Sequence, residues 1–309
     1  MSAVSRLDAL AKVHPEWAQW LRVVREVAVE LSSPAWDAHP PRTAADAESE
    51  AEAEASDLAP LLAGAALRPD GRAVARLLDR LTGVAHAQGL HALAGHAAQA
   101  QATSVDEALA VFLAAVNGDH AALDLRAART GASPEGLRTL AQLLPMPYLH
   151  ACARRWAASH DHRWSQGYCP VCGAWPAFAE VRGVERARHL RCGRCGAGWP
   201  MPVLACTYCG TTDHDTLGTL VDDDKKTRFA LDVCRGCWGY LKSCTTLQAT
   251  PSDEVLAADL ASVEFDLAAV ERGFLRPPGP GVALHASLAA AVAEPAPSPA
   301  PAPPSRWWR

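Results

Sequence analysis

The sequence predicts an α+β protein with an N-terminal all-α domain, two small cysteine-rich modules in tandem and a C-terminal helix. Three observations support this prediction. Apolar residues recur at helical spacing through residues 1–160. Eight of the ten cysteines then fall between residues 169 and 237, where glycines and short alternating segments replace the helical pattern. Helical periodicity returns after residue 250.

The N-terminal domain is expected to span residues 1–160. Several stretches carry apolar residues three or four positions apart, which is the spacing of one helix face. Their ends have local signals, including a capping box, a proline near a helix start and a glycine stop. The residues are Trp17, Leu21, Val24, Ala28 and Leu31 after Pro15; Val74, Leu77, Leu78 and Leu81; Ser104 and Glu107, with Asn117-Gly118 as the stop; and Ser133-Pro134-Glu135 before Leu137, Leu140 and Leu144.

Four CxxC pairs dominate the middle of the chain. They are Cys169 with Cys172, Cys192 with Cys195, Cys206 with Cys209, and Cys234 with Cys237. Two thiolates separated by two residues can both face one tetrahedral metal. A glycine after the second cysteine helps the turn adopt a positive φ angle, and three pairs have it. The fourth pair is followed by Trp238 instead, so its turn geometry is harder to predict.

The spacing of the pairs indicates how they combine. The first and second pairs are separated by 19 residues, and the third and fourth pairs are separated by 24 residues. Only 10 residues separate the second pair from the third. Each longer gap suits a β-hairpin, with strands expected at 177–181 and 187–191, then at 217–221 and 228–233. We therefore expect two rubredoxin-like or zinc-ribbon modules over residues 165–203 and 204–250, each with one four-cysteine site. An interleaved cross-brace is the alternative pairing.

Metal binding competes with a redox interpretation of the same cysteines. A thioredoxin-type CxxC opens a helix in a βαβ unit, whereas these pairs precede glycine or short strands. Metal binding is therefore favoured, with a CxxC dithiol oxidoreductase as the alternative. Four thiolates suit zinc and a single iron alike, and abundance favours zinc. Cys152 and Cys244 have no partner at CxxC spacing and are expected to be incidental.

Composition and charge limit the function. The 309 residues are 49% hydrophobic and 20% charged, which excludes a wholly disordered chain, a collagen-like fibre and a coiled-coil rod. The sequence has neither a signal-peptide core nor an apolar run of about 18 residues, so we expect a cytoplasmic protein without membrane insertion. Ten basic and nine acidic residues between positions 160 and 240 give a net charge of +1. This weak charge disfavours the other alternative, a zinc-ribbon nucleic-acid-binding protein.

The C-terminal part is expected to contain one helix within residues 251–276. A stripe of apolar residues predicts it, and Gly273 would stop it. The stripe consists of Leu256, Leu260, Val263, Leu267 and Val270. Residues 277–309 are expected to form a disordered tail rich in proline and alanine.

The motifs of residues 165–276 resemble the formate dehydrogenase accessory protein family (FdhE). They include Tyr168-Cys169-Pro-Val-Cys172-Gly173, the three later CxxC pairs, Gly239-Tyr240-Leu241-Lys242, and Ala258-Asp259-Leu260 with Asp266. The resemblance implies a maturation factor that binds the immature catalytic subunit of formate dehydrogenase and is not an enzyme itself. It also implies two metal ions, iron in the family, on the eight cysteines of the four pairs. No catalytic residues and no oligomeric state are predicted.

Overall fold

The computed structural model describes residues 2–41, 59–94, 103–157, 164–221 and 228–289. Some sequence features lie outside these described residues. They are the acidic, alanine-rich stretch at 44–57, the connection between the strands expected at 217–221 and 228–233, and the tail from residue 290 onward.

Within the described ranges, eight α-helices form the N-terminal domain. They are α1 Ala3–Val13, α2 Ala18–Ala28, α3 Gly71–Ala87, α4 His91–Ala94, α5 Val105–Asn117, α6 His120–Thr130, α7 Pro134–Leu143 and α8 Met146–Ala157; a short strand, β1 Ala66–Leu67, precedes α3. The capping predictions are confirmed at α5. Ser104 Oγ accepts a hydrogen bond from the Glu107 N–H at 3.3 Å, and Gly118 ends the helix at φ 67°.

A six-stranded sheet forms the frame of the cysteine-rich part. Its strands are β2 Phe178–Arg182, β3 Ala187–Arg191, β4 Gly198–Pro200, β5 Leu217–Leu220, β6 Phe229–Cys234 and β7 Gly239–Thr246. The spatial order is β4-β3-β2-β7-β6-β5. The two hairpins predicted from the sequence are confirmed to within one residue at each strand end.

The centre of this sheet joins the two modules. Strands β2 and β7 pair in parallel, with Phe178 opposite Lys242, whereas the other neighbouring strands are antiparallel. The first module contributes β2, β3 and β4, and the second contributes β5, β6 and β7. The modules expected in tandem therefore share one continuous sheet.

The C-terminal helical region is divided in two, so the prediction of one continuous helix is wrong. Helix α9 covers Val255–Leu260 and helix α10 covers Val263–Glu271. The carbonyl oxygen of Asp259 accepts hydrogen bonds from Lys242 Nζ at 2.9 Å and from Ser262 Oγ at 3.0 Å. A helix would need this oxygen to accept from the Val263 N–H, so the competing donors interrupt it.

Residues 277–289 are part of the folded structure, so the prediction that they belong to a disordered tail is wrong. Leu284 and Ala286 are buried, and strand β8, Ser287–Leu288, pairs in parallel with β1. The Val282 N–H also donates to the Gly173 carbonyl at 3.0 Å. Residues 277–289 therefore cover the first cysteine module and the helical domain, because their apolar side chains and backbone groups find partners there.

One hydrophobic core extends from the helical domain into the first module. Buried residues of α3, α5 and α8 belong to the same cluster as Cys169, Leu190 and Trp199. The second module has its own smaller core, in which Leu231, Val233, Tyr240, Ala269 and Phe274 are buried. The first module is consequently embedded in the protein, and the second lies at its periphery.

Candidate metal centres

The first candidate site contains Cys169, Cys172, Cys192 and Cys195. One cysteine pair precedes β2 and the other follows β3, so the hairpin brings the two pairs together. The Sγ atoms of Cys169 and Cys195 are 3.5 Å apart, as are those of Cys172 and Cys192. All four side chains are fully buried.

The second candidate site contains Cys206, Cys209, Cys234 and Cys237. Strands β5 and β6 separate its two pairs, and Cys234 is the last residue of β6. The Sγ atoms of Cys206 and Cys237 are 3.6 Å apart, and those of Cys209 and Cys234 are 3.8 Å apart. Cys206 and Cys234 are buried, whereas Cys209 and Cys237 are exposed.

The geometry of both groups fits a tetrahedral metal. A tetrahedron with metal–sulfur bonds of about 2.3 Å has edges of about 3.8 Å. Within each group, the four sulfur atoms lie within 4.8 Å of one another. The grouping follows the sequential pairing, and the interleaved cross-brace is wrong. All ten cysteines are free thiols.

The same backbone turn recurs at all four CxxC pairs. Gly173, Gly196 and Gly210 follow the second cysteine with φ angles of 64°, 71° and 71°. Trp238 occupies the equivalent position of the fourth pair with a φ angle of 56°. The fourth turn thus keeps its shape without glycine, in a conformation that costs an ordinary L-residue about 1–2 kcal/mol. The Trp238 ring lies against Phe274, with centroids 5.4 Å apart.

In each site, a backbone N–H group points at the sulfur of the first cysteine. The Val171 N–H donates to Cys169 Sγ, and the Tyr208 N–H donates to Cys206 Sγ, each at 3.4 Å. Such hydrogen bonds stabilise negative charge on a sulfur, which is the form that binds metal. The two sites therefore share this feature of a thiolate ligand shell.

The thiols of the first site differ in acidity. Hydrogen bonds from Cys169, Cys192 and Cys195 hold the pKa of Cys172 well below its ordinary value. Burial raises the pKa of Cys169 and Cys195 well above theirs. Of these three thiols, Cys172 is therefore the one that ionises most readily. Cysteines bind a metal as thiolates, so protons are released when a metal binds.

The thiols of the second site also differ in pKa, but by less than those of the first site. Burial raises the pKa of Cys206. Burial also opposes ionisation of Cys234, but the N–H groups of Cys237 and Gly236 lower its pKa overall. Cys234 thus ionises more readily than Cys206.

Buried ion pairs hold the sheet that carries the sites. Glu180 on β2 is fully buried, and its carboxylate lies 2.6 Å from Arg182 and 3.4 Å from Arg191. It also accepts the Thr250 N–H at 2.8 Å. Arg191 directly precedes Cys192, so this cluster anchors the second cysteine pair of the first site to β2.

Arg188 connects the first module to the second site. Its guanidinium donates to the carbonyls of Pro202 and Ala205, each at 3.2 Å, and to Thr207 Oγ1 at 3.1 Å. It also lies 3.2 Å from Asp232 on β6. The segment leading into Cys206 is thereby fixed to β3. Sequence analysis assigned no role to Arg188 or Asp232, because nothing local indicates that residues so far apart in the chain meet.

A chain of aromatic rings also runs between the modules. Trp164, Tyr168, Trp175 and Tyr208 meet edge to face in succession, with centroid distances of 5.5, 6.3 and 5.2 Å. Trp199 is buried and donates from Nε1 to the Gln166 carbonyl. Of the tryptophans near the sites, Trp199 is therefore fully buried, whereas Trp164 and Trp175 are partly exposed.

The two remaining cysteines lie apart from both sites. Cys152 is buried in α8, where burial raises its pKa to about 12. Cys244 is buried within β7, and burial raises its pKa to about 11. Neither thiol is therefore expected to ionise near neutral pH.

The fold and the site define a class of protein: a helical domain joined to a pair of four-cysteine modules that could each hold a metal ion. Comparison with known proteins shows what the chain is similar to. Residues 204–280 match the family model described as "FdhE, C-terminal domain". The resemblance to the FdhE family that the sequence motifs indicated is confirmed.

Individual relatives support the same conclusion. The chain is 31% identical to an FdhE homolog of Aquifex aeolicus over 152 residues, which is 47% of this chain and 52% of that protein. It is 33% identical to an FdhE homolog of Shewanella baltica over 111 residues, or 35% of this chain and 36% of the relative. The matched stretches thus span about half, or less, of these relatives' lengths.

A solved structure shows that the similarity in fold is more extensive. The crystal structure of the FdhE protein from Pseudomonas aeruginosa matches with a TM-score of 0.54 over 91% of this chain and 94% of that one. At 22% sequence identity, this match establishes the fold alone. Among the helices of the described residues, none has the length and apolar character needed to cross a membrane.

Proposed function

We propose that the chain is a cytoplasmic accessory factor for formate dehydrogenase maturation, which binds the immature catalytic subunit and catalyses no reaction itself. The single observation that carries the proposal is the pair of four-cysteine groups in a chain with an FdhE C-terminal domain. The proposal assigns the helical domain to residues 1–160 and the cysteine modules to residues 165–203 and 204–250.

The proposal includes one metal ion in each four-cysteine group, and the metal is iron. Its ligands are the sulfurs of Cys169, Cys172, Cys192, Cys195, Cys206, Cys209, Cys234 and Cys237. Sulfur distances of 3.5 to 3.8 Å support tetrahedral coordination at both places. Iron in such a site can accept or donate an electron, which zinc cannot do.

A groove beside the second site supports the partner-binding part of the proposal. It has a volume of about 940 Å³ and runs along β5 and β6, next to Cys206 and Cys234. Val203 and Leu204 on its rim are more than half exposed. An apolar rim with a buried arginine, Arg188, in the wall is the kind of surface that binds a protein segment.

Affinity capture from cells that make formate dehydrogenase tests this function. The tagged chain should recover the catalytic subunit under anoxic conditions. A Leu204→Asp variant should recover less of it, whereas Leu247→Asp, which changes an exposed leucine outside the groove, should behave like the wild type. Recovery of no formate dehydrogenase subunit, under anoxic and oxic conditions alike, would rule the proposal out.

A further inference from the structure

The two four-cysteine groups differ sharply in their access to solvent. In the first group all four side chains have a relative exposure of 0%. In the second group Cys206 and Cys234 are buried, but Cys209 and Cys237 are exposed. A competing ligand therefore has an approach to Cys209 and Cys237 that the first group does not offer.

Neighbouring segments explain the closure of the first group. A Cβ atom placed on Gly196 would lie 2.6 Å from the Ser252 carbonyl oxygen and 2.7 Å from the His150 ring. One placed on Gly173 would lie 2.8 Å from the Val282 carbonyl oxygen. The first site is thus packed against three parts of the protein: the helical domain, the segment before α9 and the segment before β8.

The second group has no comparable cover on its first turn. A Cβ atom placed on Gly210, which has the same φ angle as Gly196, would meet no atom within 4 Å. At Gly236, inside the other turn, the only neighbour of such an atom is Cys234 Sγ. The first turn of the second group therefore faces open space in the described structure, and so does the position of Gly236 in the other turn.

We propose that the second group is a metal-exchange site, which releases its metal to an external thiol-bearing or chelating ligand, whereas the first group retains its metal. The inference rests on the proposed function in one respect, namely that both groups bind a metal. It adds a division of roles: the first site stabilises the fold, and the second supplies or accepts a metal ion.

Exchange would start at the exposed cysteines. Donor atoms of the incoming ligand would replace Cys209 or Cys237 first, and the buried Cys206 and Cys234 would be displaced later. The Tyr208 N–H donates to Cys206 Sγ at 3.4 Å, which would help to hold that thiolate. An incoming thiol would give up its proton as it binds, each displaced thiolate would take up a proton, and no oxidation state would change.

Release kinetics test the proposal on the full chain. The anaerobic protein is loaded with two equivalents of Zn²⁺ and mixed with excess 4-(2-pyridylazo)resorcinol, whose absorbance reports released zinc. Contacts around a ligand shell commonly change metal binding by about 10–100-fold, so one equivalent should leave at least about tenfold faster than the other. A Cys237→Ser variant should lack the fast equivalent and keep the slow one.

Alkylation assigns the phases to the sites independently of any variant. N-ethylmaleimide added during the fast phase should label Cys206, Cys209, Cys234 and Cys237 and spare the first group, as read by peptide mass spectrometry. Release of both equivalents at one rate, or early labelling of the first group, would overturn the division of roles. Failure to load two equivalents would instead overturn the two-site assignment on which it rests.

Discussion

Lys242 and Asp266 form a buried ion pair, with Lys242 Nζ 2.7 Å from Asp266 Oδ2. Lys242 lies on β7 with no exposed surface, and its Nζ is also 2.6 Å from Asp259 Oδ1. Arg276 adds a second cation at 2.8 Å from Asp266, and the Tyr240 hydroxyl donates to Asp266 at 2.9 Å. Through this network, the central sheet holds both C-terminal helices.

Replacing Lys242 with methionine should destabilise the protein by about 3–5 kcal/mol. The change removes a fully buried cation and leaves the carboxylates of Asp259 and Asp266, which are 26% and 22% exposed, with Arg276 beside them. Chemical denaturation of the metal-loaded protein measures the free energy of unfolding. Lys12→Met removes a lysine from an exposed position on α1 and should change that free energy by less than about 0.5 kcal/mol. Equal stability of the two variants would contradict the role of the network.

Two glycines with the same backbone conformation provide a matched pair. Gly196 and Gly210 both have a φ angle of 71°, but only Gly196 has close neighbours on its Cβ side. Gly210→Ala should cost about 1–2 kcal/mol, which is the cost of the left-handed conformation alone. Gly196→Ala should cost clearly more, because the new methyl group meets His150 and the Ser252 carbonyl. Thermal unfolding of both variants gives the comparison, and equal losses would show that the first site is not enclosed by its neighbours.

The stability contributed by Glu180 should depend on pH. The carboxyl group is buried, which raises its pKa, but Arg191, the Thr250 N–H and Arg182 together hold that pKa below its ordinary value. A carboxyl group with a lowered folded-state pKa stabilises the protein above its unfolded pKa of about 4.3, and this contribution is lost as the pH falls through the folded value.

The test compares wild type and Glu180→Gln by denaturation at several pH values. The wild type should be the more stable protein at pH 7, and the difference should shrink as the pH falls below about 4.3. A difference that stays constant down to pH 3 would show that the charge of Glu180 is not what stabilises the sheet.

Local sequence signals predicted the parts of the structure that depend on nearby residues. The gaps between the CxxC pairs indicated which cysteines meet, and Ser104 and Gly118 marked the ends of a helix that the structure confirms. Each of these features is set by residues close in the chain or by the length of one hairpin, so the sequence alone contains the information.

Contacts between segments that are distant in the chain could not be predicted from these local sequence signals. The parallel pairing of Phe178 with Lys242 fuses the two modules, yet neither strand carries a local mark of its partner. The buried Lys242 also donates a hydrogen bond to the Asp259 carbonyl. This contact interrupts the C-terminal helix, which the stripe of apolar residues predicted to be continuous. Leu284 looked like part of a disordered tail because its partners lie in the helical domain and the first module. These features follow from tertiary contacts rather than from local pattern.

The metal content of anaerobically purified protein is the most direct test of the account. Elemental analysis should find two equivalents of metal per chain, and iron would give a coloured protein. The Cys237→Ser variant should keep one equivalent, because it changes only the second site. Less than one equivalent of any metal in protein protected from oxidation would contradict the assignment of the two four-cysteine groups as metal sites.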